Sequence, residues 1–568
     1  MKRIHILFAL LVLPLMLTAQ PGRGGVQPQR QAQPQMPRQP QPQMQPQATA
    51  IDAELQKLLV AEGAISALYV EEVDEKKIVE QAIKGMLEEL DPHSTYLTPE
   101  ENDKTSETLT GSFEGIGVQF NMVEDTLLVI QPVLGGPSEK VGILAGDRIV
   151  TVNDSAIAGV KMSKEDIMKR LRGKKGTKVE LGIVRRGIKD HLKFVVTRDK
   201  IPVHTLDAAY MIRPGVGYIR IGSFGATTFD EFMEALSKLQ EQNATANTQH
   251  PKPLSLILDL QDNGGGYLQA AVQIANQFLQ RGDLIVYTQG RSVPRQEYEA
   301  EGNGRLIPQQ NPDAQNPTPQ VIVLVNEYTA SAAEIVTGAL QDQDRGLVIG
   351  RRTFGKGLVQ RPIEFSDGSM IRLTVAHYYT PSGRCIQKPY VKGDSKEYAE
   401  DIEKRFKHGE LYSADSIHFE DSLKTYTLRR HRTVYGGGGI MPDIFVPLDT
   451  LQYTKLHRQL AAKSIIINAN LQYVDQNRKQ LHAKYKTFQQ FEQEFQVPQT
   501  LIDKIKADAE KEKINIKNPE EEWAQTMPML RTQLKALIAR DLWDMTEYFA
   551  IMNQQNHIVQ RALQELDK

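Results

Sequence analysis

Cysteine is nearly absent from this 568-residue chain, and Cys385 is its single example. One cysteine excludes an intramolecular disulfide and a zinc site built from several thiolates. A His-Glu-x-x-His pattern or a comparable spacing of metal ligands is also missing, so we expect no metal and no other cofactor. The fold must therefore be stabilised by packing alone.

An excess of charge of either sign is also missing. Lysine and arginine total 68 and aspartate and glutamate 70, which gives a net charge of −2. A protein that binds duplex nucleic acid needs a large basic excess to neutralise phosphates, so the balance argues against nucleic acid as a partner. The length predicts two to four domains, and the 40% hydrophobic content is enough to pack them.

Long hydrophobic runs are confined to the beginning of the chain. Lys2 and Arg3 precede an apolar stretch from Ile4 to Leu17, which is shorter than the roughly twenty residues that span a bilayer. This pattern predicts a cleaved export signal over residues 1–19. Residues 20–50 are mostly glutamine and proline and are predicted to be a disordered linker.

Ordered sequence is predicted to begin with an N-terminal helical region over residues 51–110. Apolar residues recur at helical spacing between Leu55 and Leu90. The helical run should end at Asp91-Pro92, because the residue before a proline is pushed out of the helical conformation.

Short strands and glycine turns follow over residues 111–200. The loop Gly115-Ile116-Gly117-Val118 leads into a strand, and Ser163 is placed to cap a helix through Leu171. With the stretch Gly146-Asp147-Arg148-Ile149-Val150-Thr151-Val152-Asn153, this order resembles a PDZ domain, although a glycine loop before a strand is by itself only a hairpin. The resemblance implies that Gly115, Ile116, Gly117 and Val118 bind the C-terminal carboxylate of a peptide.

Strands and helices alternate over residues 201–447, which indicates an α/β domain. Strands are predicted at 217–221, 254–260, 321–325, 347–350 and 370–379, with helices between them. Residues 385–435 form a charged, irregular insertion. Residues 448–568 are predicted to be a C-terminal helical domain, either a plain one or one for dimerisation or adaptor binding.

One serine stands where nucleophilic chemistry is feasible. Ser331 follows a buried strand and opens an alanine-rich helix, beside free N–H groups and the positive end of the helix dipole. The glycines 264–266 after the neighbouring strand leave bare backbone for a second oxyanion donor. A nucleophilic serine needs a base, and either Lys356, between two glycines, or His377 fits. Spacing alone does not choose between them.

Several motifs resemble the C-terminal processing peptidases of serine peptidase family S41. The resemblance covers residues 55–447 and rests on these stretches: Leu90-Asp91-Pro92-His93-Ser94, Asp259 to Gly266, Thr329 to Ile335, Phe354 to Gln360, Thr380 to Arg384 and Gly437 to Asp443. It implies Ser331 as nucleophile, Lys356 as general base and Gln360 as the residue that positions the amine. It also implies an oxyanion hole from Ala332 and either Gly265 or Gly266, of which Gly266 is favoured. Gln261 and Gly264 depart from the family, which usually has arginine and proline there.

The sequence as a whole therefore predicts an exported, ATP-independent serine endopeptidase that cuts envelope proteins near their C-termini. The resemblance implies an α/β multidomain protein with a crotonase-like (ClpP-like) ββα-spiral core. It also implies protein substrates with free C-termini, assembly as a homodimer or larger homo-oligomer, and room for an adaptor protein. The alternatives are a non-catalytic PDZ scaffold or chaperone, which should have lost Ser331 or Lys356, and an acyl-CoA-processing crotonase relative, which the export signal disfavours.

Overall fold

A computed structural model of the protein describes residues 53–123, 125–246, 253–307 and 318–568. The predicted export signal, 1–19, and the predicted linker, 20–50, lie outside these residues. Helix α1 (Ala53–Leu68) belongs to a first unit that ends at Glu75. Residues from Lys76 to the last residue form a second unit, which holds the other elements described below except Glu75, the first residue of helix α2.

The second unit begins with helices that surround one short strand. Helix α2 (Glu75–Glu88) ends before the Asp91-Pro92 pair, as the proline predicts. Strand β1 (Thr95–Leu97) leads to helix α3 (Pro99–Thr110). A reciprocal pair of hydrogen bonds between Thr98 and Glu101 caps α3.

The region that resembles a PDZ domain folds as a small β unit over residues 112–202, hereafter the PDZ unit. Its elements are β2 (Ser112–Gly115), β3 (Val118–Val123), β4 (Thr126–Pro132), α4 (Pro137–Lys140), β5 (Arg148–Val152), β6 (Ser155–Ala156), α5 (Lys164–Leu171), β7 (Lys178–Val184), β8 (Leu192–Thr197) and β9 (Asp199–Pro202). The main sheet has the order β3-β4-β5-β7-β8, and β2 pairs with β9 where the chain enters and leaves. Ile167 and Leu171 of α5 pack in a core made only of this unit's residues.

The α/β core follows with strands that belong to two sheets. Its elements are β10 (Leu206–Arg213), β11 (Val216–Ile221), α6 (Thr228–Ala246), β12 (Ser255–Asp259), α7 (Leu268–Ala275), β13 (Leu284–Gln289), β14 (Gln296–Glu299), β15 (Val321–Val325), α8 (Ala332–Asp342), β16 (Leu347–Gly350), β17 (Leu358–Glu364) and β18 (Met370–Tyr379). The larger sheet, β10-β11-β12-β15-β16, is parallel from β11 onward. In the other sheet, of order β1-β18-β13-β14, β17 also pairs with β18.

The predicted insertion at 385–435 is only partly irregular. It contains α9 (Ser395–Ala399), α10 (Asp401–Lys407), 3-10 turns at Ala414–Ser416 and Asp421–Leu423, and the hairpin β19 (Lys424–Tyr426) and β20 (Thr433–Tyr435), after which β21 (Ile444–Phe445) completes the larger sheet. Ion pairs help to hold this charged segment in place. Arg405, with a side chain only 3% exposed, lies 2.9 Å from Asp401.

Helices occupy the rest of the chain but do not form one body. They are α11 (Lys455–Ala462), α12 (Ile465–Lys484), α13 (Phe488–Glu494), α14 (Gln499–Lys511), α15 (Pro519–Leu542), α16 (Met545–Met552) and α17 (His557–Glu565). Helices α11–α16 contribute to a core of their own. The last helix, α17, instead packs on the larger sheet through Ile558, Val559 and Ala562. Among the described residues, no helix has the length and apolarity needed to cross a membrane.

Helix α17 explains why β15, in the middle of the larger sheet, is apolar at every position. Along β15, Val321, Val323 and Val325 face the core that includes α6, α7 and α8, while Ile322 and Leu324 face the cluster that includes α17. A parallel sheet that is covered on both faces needs apolar residues at consecutive positions. The predicted domain 448–568 therefore contributes its last helix to the core fold.

The C-terminal helices also contact the PDZ unit. Asp475 on α12 lies 3.0 Å from the Arg148 guanidinium on β5, and its backbone carbonyl accepts a hydrogen bond from Arg186. The Asp475 carboxylate is only 7% exposed, so this ion pair is shielded from solvent. The contact ties the PDZ unit to the part of the chain that follows the core.

Arg384 provides a test of the buried charges that organise the core. Its guanidinium donates to Asp342 Oδ1 at 2.7 Å and to the Tyr435 carbonyl at 3.0 Å, and both charged side chains are at most 2% exposed. We expect Arg384→Leu to lower the free energy of unfolding by about 3–5 kcal/mol, because the Asp342 carboxylate would stay buried without its cation. Urea-induced unfolding followed by circular dichroism measures this loss.

The matched control is Lys238→Leu, which breaks an exposed ion pair with Glu234 on α6. This variant should unfold at the urea concentration that unfolds the parent protein. Equal unfolding midpoints for Arg384→Leu and the parent protein would contradict the structural role of the buried pair.

Candidate active site

Ser331 lies at the turn between β15 and α8 with an unusual backbone conformation. Its φ of 56° and ψ of −118° fall where side chains are rarely found. Such strain persists only where surrounding contacts hold it. Every residue of α8 is buried, and Tyr378 donates a hydrogen bond from its hydroxyl to the Ser331 carbonyl at 3.0 Å.

The carboxylate of Glu334, in the first turn of α8, joins the Ser331 turn to the loop that carries Lys356. Its Oε2 accepts the backbone N–H of Ser331 at 2.8 Å and that of Lys356 at 2.9 Å. Its Oε1 accepts the Thr353 hydroxyl at 2.5 Å and the Gly355 N–H at 2.8 Å. Burial raises the pKa of Glu334, while these four donors favour its ionised form.

The shared oxygen brings Ser331 and Lys356 together. Because their backbone nitrogens both bond to one atom, they lie within about 6 Å of each other. The sequence pattern assigned no role to Glu334. The signal was nevertheless present, since Ser331-Ala-Ala-Glu334 has the S-x-x-E spacing of a helix capping box.

Lys356 reaches Gln360 although four residues separate them. Lys356 Nζ donates to Gln360 Oε1 at 3.1 Å. In a flat strand, side chains four residues apart would be about 13 Å apart. The chain avoids this geometry because Gly355 has a positive φ of 87°, Lys356 precedes the first residue of β17, and β17 is irregular between Val359 and Gln360.

The Lys356 amine is half-buried, and its surroundings disfavour a positive charge. Burial lowers the pKa of Lys356, and the nearby Arg372 guanidinium lowers it further. The carboxylates of Asp91 and Glu334 act in the opposite direction. The net effect is a lowered pKa, so the neutral amine, which can accept a proton, is more populated than in a free lysine.

The Leu90 to Ser94 motif supplies the support for Gln360. Gln360 Nε2 donates to the His93 carbonyl at 2.5 Å, which fixes the amide so that its oxygen faces Lys356. Asp91 holds this segment, because its Oδ1 accepts the N–H groups of His93 and Ser94 and the Thr374 hydroxyl. The motif contributed to the family resemblance, but the resemblance implied no role for these residues.

His377, the other candidate base, faces away from Ser331. Successive side chains in a strand point to opposite faces, and the neighbouring Tyr378 points at the Ser331 carbonyl. The His377 ring instead lies 3.8 Å from the Cys385 sulfur. The geometry therefore favours Lys356 over His377.

The glycine turn after β12 lies against the Ser331 turn. A β-carbon on Gly265 would come within 2.6 Å of the Ser331 β-carbon and 2.9 Å of the Ala332 nitrogen, so only glycine fits. The Gly265 N–H donates to Asn263 Oδ1 at 2.8 Å. Because that donor is engaged, Gly266 is the better oxyanion candidate of the two, together with Ala332.

The two departures from the family pattern have local explanations. Gln261 stands where arginine is usual, and the buried Asp259 beside it is paired with Arg220 at 2.9 Å instead. Gly264 stands where proline is usual, and a β-carbon added there would meet no atom within 4 Å. Neither departure crowds the Ser331 turn.

The loop predicted to bind a peptide C-terminus sits at the entrance to β3. The carbonyl of Ile116 accepts two hydrogen bonds from Ser138, and the carbonyl of Gly117 accepts one from the Val133 N–H. In a trans peptide the N–H points away from the carbonyl, so the N–H groups of Gly117 and Val118 face the opposite side. Gly115 ends β2 just before this loop.

A metal site is not found in the described part of the chain, where no group of three or more His, Cys, Asp or Glu residues could hold an ion.

Comparison with known families agrees with this arrangement of parts. Residues 215–396 match peptidase family S41, and residues 115–196 match the PDZ domain. Residues 22–101 match the N-terminal domain of the activating protease CtpB. Residues 456–544 match a family of unknown function.

Individual relatives share much of the chain. The carboxy-terminal processing protease CtpA of Bacillus subtilis is 36% identical over 372 residues, which are 64% of this chain and 75% of the relative. CtpB of the same organism is 32% identical over 377 residues, or 66% and 72% of the two chains. A solved structure of a photosystem II D1 C-terminal processing protease is 27% identical, with a TM-score of 0.33 over 71% of this chain and 95% of the other.

The range that matches peptidase family S41, 215–396, includes the serine turn, and the range that matches the PDZ domain, 115–196, lies within the PDZ unit. Since 75% of CtpA is covered at 36% identity, the chain belongs to the carboxy-terminal processing proteases of serine peptidase family S41.

Proposed function

We propose that the protein is an exported, ATP-independent endopeptidase that cuts envelope proteins near their C-termini with a Ser331–Lys356 dyad. The observation that carries this proposal is the single carboxylate oxygen of Glu334, which accepts the backbone N–H groups of both residues. Gln360 orients the amine through the 3.1 Å hydrogen bond from Lys356 Nζ.

In this mechanism the neutral Lys356 amine removes the proton of the Ser331 hydroxyl as its oxygen attacks the scissile carbonyl. The N–H groups of Ala332 and Gly266 stabilise the oxyanion of the tetrahedral intermediate. Lys356 then gives its proton to the departing amine, which leaves an ester between Ser331 and the substrate. Water, deprotonated by the same amine, hydrolyses this ester and restores the serine.

Further features belong to the same proposal. The core is proposed to be a crotonase-like ββα spiral, and the two sheets with α6–α8 between their strands support it. Export rests on the apolar stretch within residues 1–19. Assembly as a homo-oligomer and the use of an adaptor protein rest on the family resemblance.

The PDZ unit is proposed to recognise the free C-terminus of the substrate. The N–H groups of Gly117 and Val118 would bind its carboxylate, and the peptide would add a strand beside β3. Lys164 on α5 faces β3, since its amine lies 5.5 Å from the centre of the Phe120 ring. This cation adds to the attraction for a terminal carboxylate.

The nucleophile is tested by Ser331→Ala. We expect this variant to fold normally and to lose at least about a thousandfold in activity, because the attacking oxygen is gone. The assay is cleavage of a denatured test protein, with melting temperature as the check on folding. The exposed Ser237→Ala on α6 is the matched control and should keep full activity, as should the parent protein in EDTA. Activity in purified Ser331→Ala would refute the assignment.

The base is tested by comparing Lys356 with His377. An ordinary lysine, with a pKa near 10.4, would be about 99.9% protonated at pH 7. Because burial and Arg372 lower the pKa of Lys356, kcat/KM should rise with pH through an apparent pKa below 10.4. Lys356→Arg should lose nearly all activity, since arginine stays protonated. His377→Ala should keep most of it, and the opposite pattern would favour a Ser–His mechanism.

Recognition of the C-terminus is tested with two substrates that differ only in their last group. We expect the peptide with a free carboxylate to be cleaved about tenfold faster than its C-terminal amide, because the amide lacks the charge that the loop at Gly117 and Val118 binds. Initial rates at low substrate concentration measure this ratio. Equal rates would mean that the PDZ unit does not sense the carboxylate.

A further inference from the structure

The segment 386–405, which begins inside the predicted insertion, encloses the loop that carries Lys356. The Lys388 N–H donates to the Gly355 carbonyl at 2.9 Å, and the Gln387 side chain accepts the Gly357 N–H at 2.9 Å. These two hydrogen bonds fix the backbone on either side of Lys356. We refer to residues 386–405 as the cradle segment.

A second set of contacts holds the start of the same loop. Arg405 donates to the carbonyls of Thr353 and Phe354 at 2.8 and 3.0 Å. The Lys388 amine lies 4.0 Å from the centre of the Phe354 ring and 3.9 Å from that of Tyr398. A cation between two aromatic faces is attracted to both, so the Tyr398 ring is held against the loop.

The Tyr398 hydroxyl connects the cradle segment to His93, the residue that supports Gln360. It lies 2.9 Å from His93 Nε2 and accepts a hydrogen bond from Gln387 at 3.3 Å. Burial, and then the charge of Lys356, lower the pKa of His93 to about 4, so the ring is neutral at pH 7. A hydroxyl that accepts from Gln387 can donate its proton to the neutral His93 ring.

His93 therefore links Tyr398 to the proposed dyad. Its ring bonds to Tyr398, and its carbonyl accepts the hydrogen bond from Gln360 Nε2. Gln360 in turn accepts the hydrogen bond from the Lys356 amine. A displacement of His93 would therefore shift the Gln360 side chain and, through it, the Lys356 amine.

We propose that Tyr398 and His93 are positioning residues that act through Gln360 to hold the Lys356 amine toward Ser331. The inference rests on the proposed function of the dyad. It also gives the cradle segment, which the sequence did not explain, a role in the reaction.

The test is Tyr398→Phe, which removes the hydroxyl and keeps the ring beside Lys388. We expect kcat for a peptide substrate to fall about tenfold while KM changes less than about twofold, because orientation of the base affects the chemical step and not substrate binding. A tenfold loss corresponds to about 1.4 kcal/mol, the size of one hydrogen bond. The melting temperature is recorded to confirm that the assay is run on folded protein.

Three further variants make the result decisive. His93→Ala should give a similar loss of kcat. The double variant should lose no more activity than the less active of the two single variants, because both changes remove the same contact. Tyr412→Phe, in the same region but packed on the exposed Phe406, is the matched control and should behave as the parent protein.

The possible outcomes distinguish failure of this inference from failure of the proposed Ser331–Lys356 dyad. An unchanged kcat in Tyr398→Phe, a change confined to KM, or losses that multiply in the double variant would overturn the positioning role. Activity in Ser331→Ala would overturn the dyad itself. An inactive Ser331→Ala beside a fully active Tyr398→Phe would therefore reject only the role of Tyr398 and His93.

Discussion

The carboxylate of Glu334 has no exposed surface and accepts hydrogen bonds from four donors on two separate segments of the chain. A buried carboxylate without donors would be costly, so the two segments are held together as long as the protein is folded. The strained Ser331 turn and the loop before Lys356 consequently keep a fixed relation. The other contacts of the site orient side chains within the backbone positions that Glu334 holds.

The larger sheet provides the rigid base on which this arrangement depends. Its parallel strands are buried on both faces, by α6–α8 on one side and by α17 on the other. The Ser331 turn and the glycine turn follow adjacent strands, β15 and β12, so their backbones meet closely at Gly265. A helix from the end of the chain thus helps to hold a turn more than two hundred residues earlier.

The Lys356 amine is surrounded by groups from distant parts of the sequence. His93 and Asp91 come from the N-terminal side of the PDZ unit, and Gln360 comes from β17. The PDZ unit is itself joined to this N-terminal side, because Arg172 forms an ion pair with Glu107 on α3. The PDZ unit is thus tied to the N-terminal segment that also carries Asp91 and His93.

The sequence by itself predicted five strands of the core, since apolar runs such as Val321–Val325 leave little choice of conformation, but it did not predict β10, β13, β14 or β17. It also narrowed the candidate site to Ser331 with two possible bases. Only the tertiary structure placed His377 away from Ser331, because that position depends on which face of β18 the side chain points to. It also brought Lys356 to Gln360, a contact that depends on the bend at Gly355. The contacts of residues 386–405 and of α17 could likewise not be predicted from the sequence, because they involve residues far along the chain and produce no periodic pattern in the local sequence.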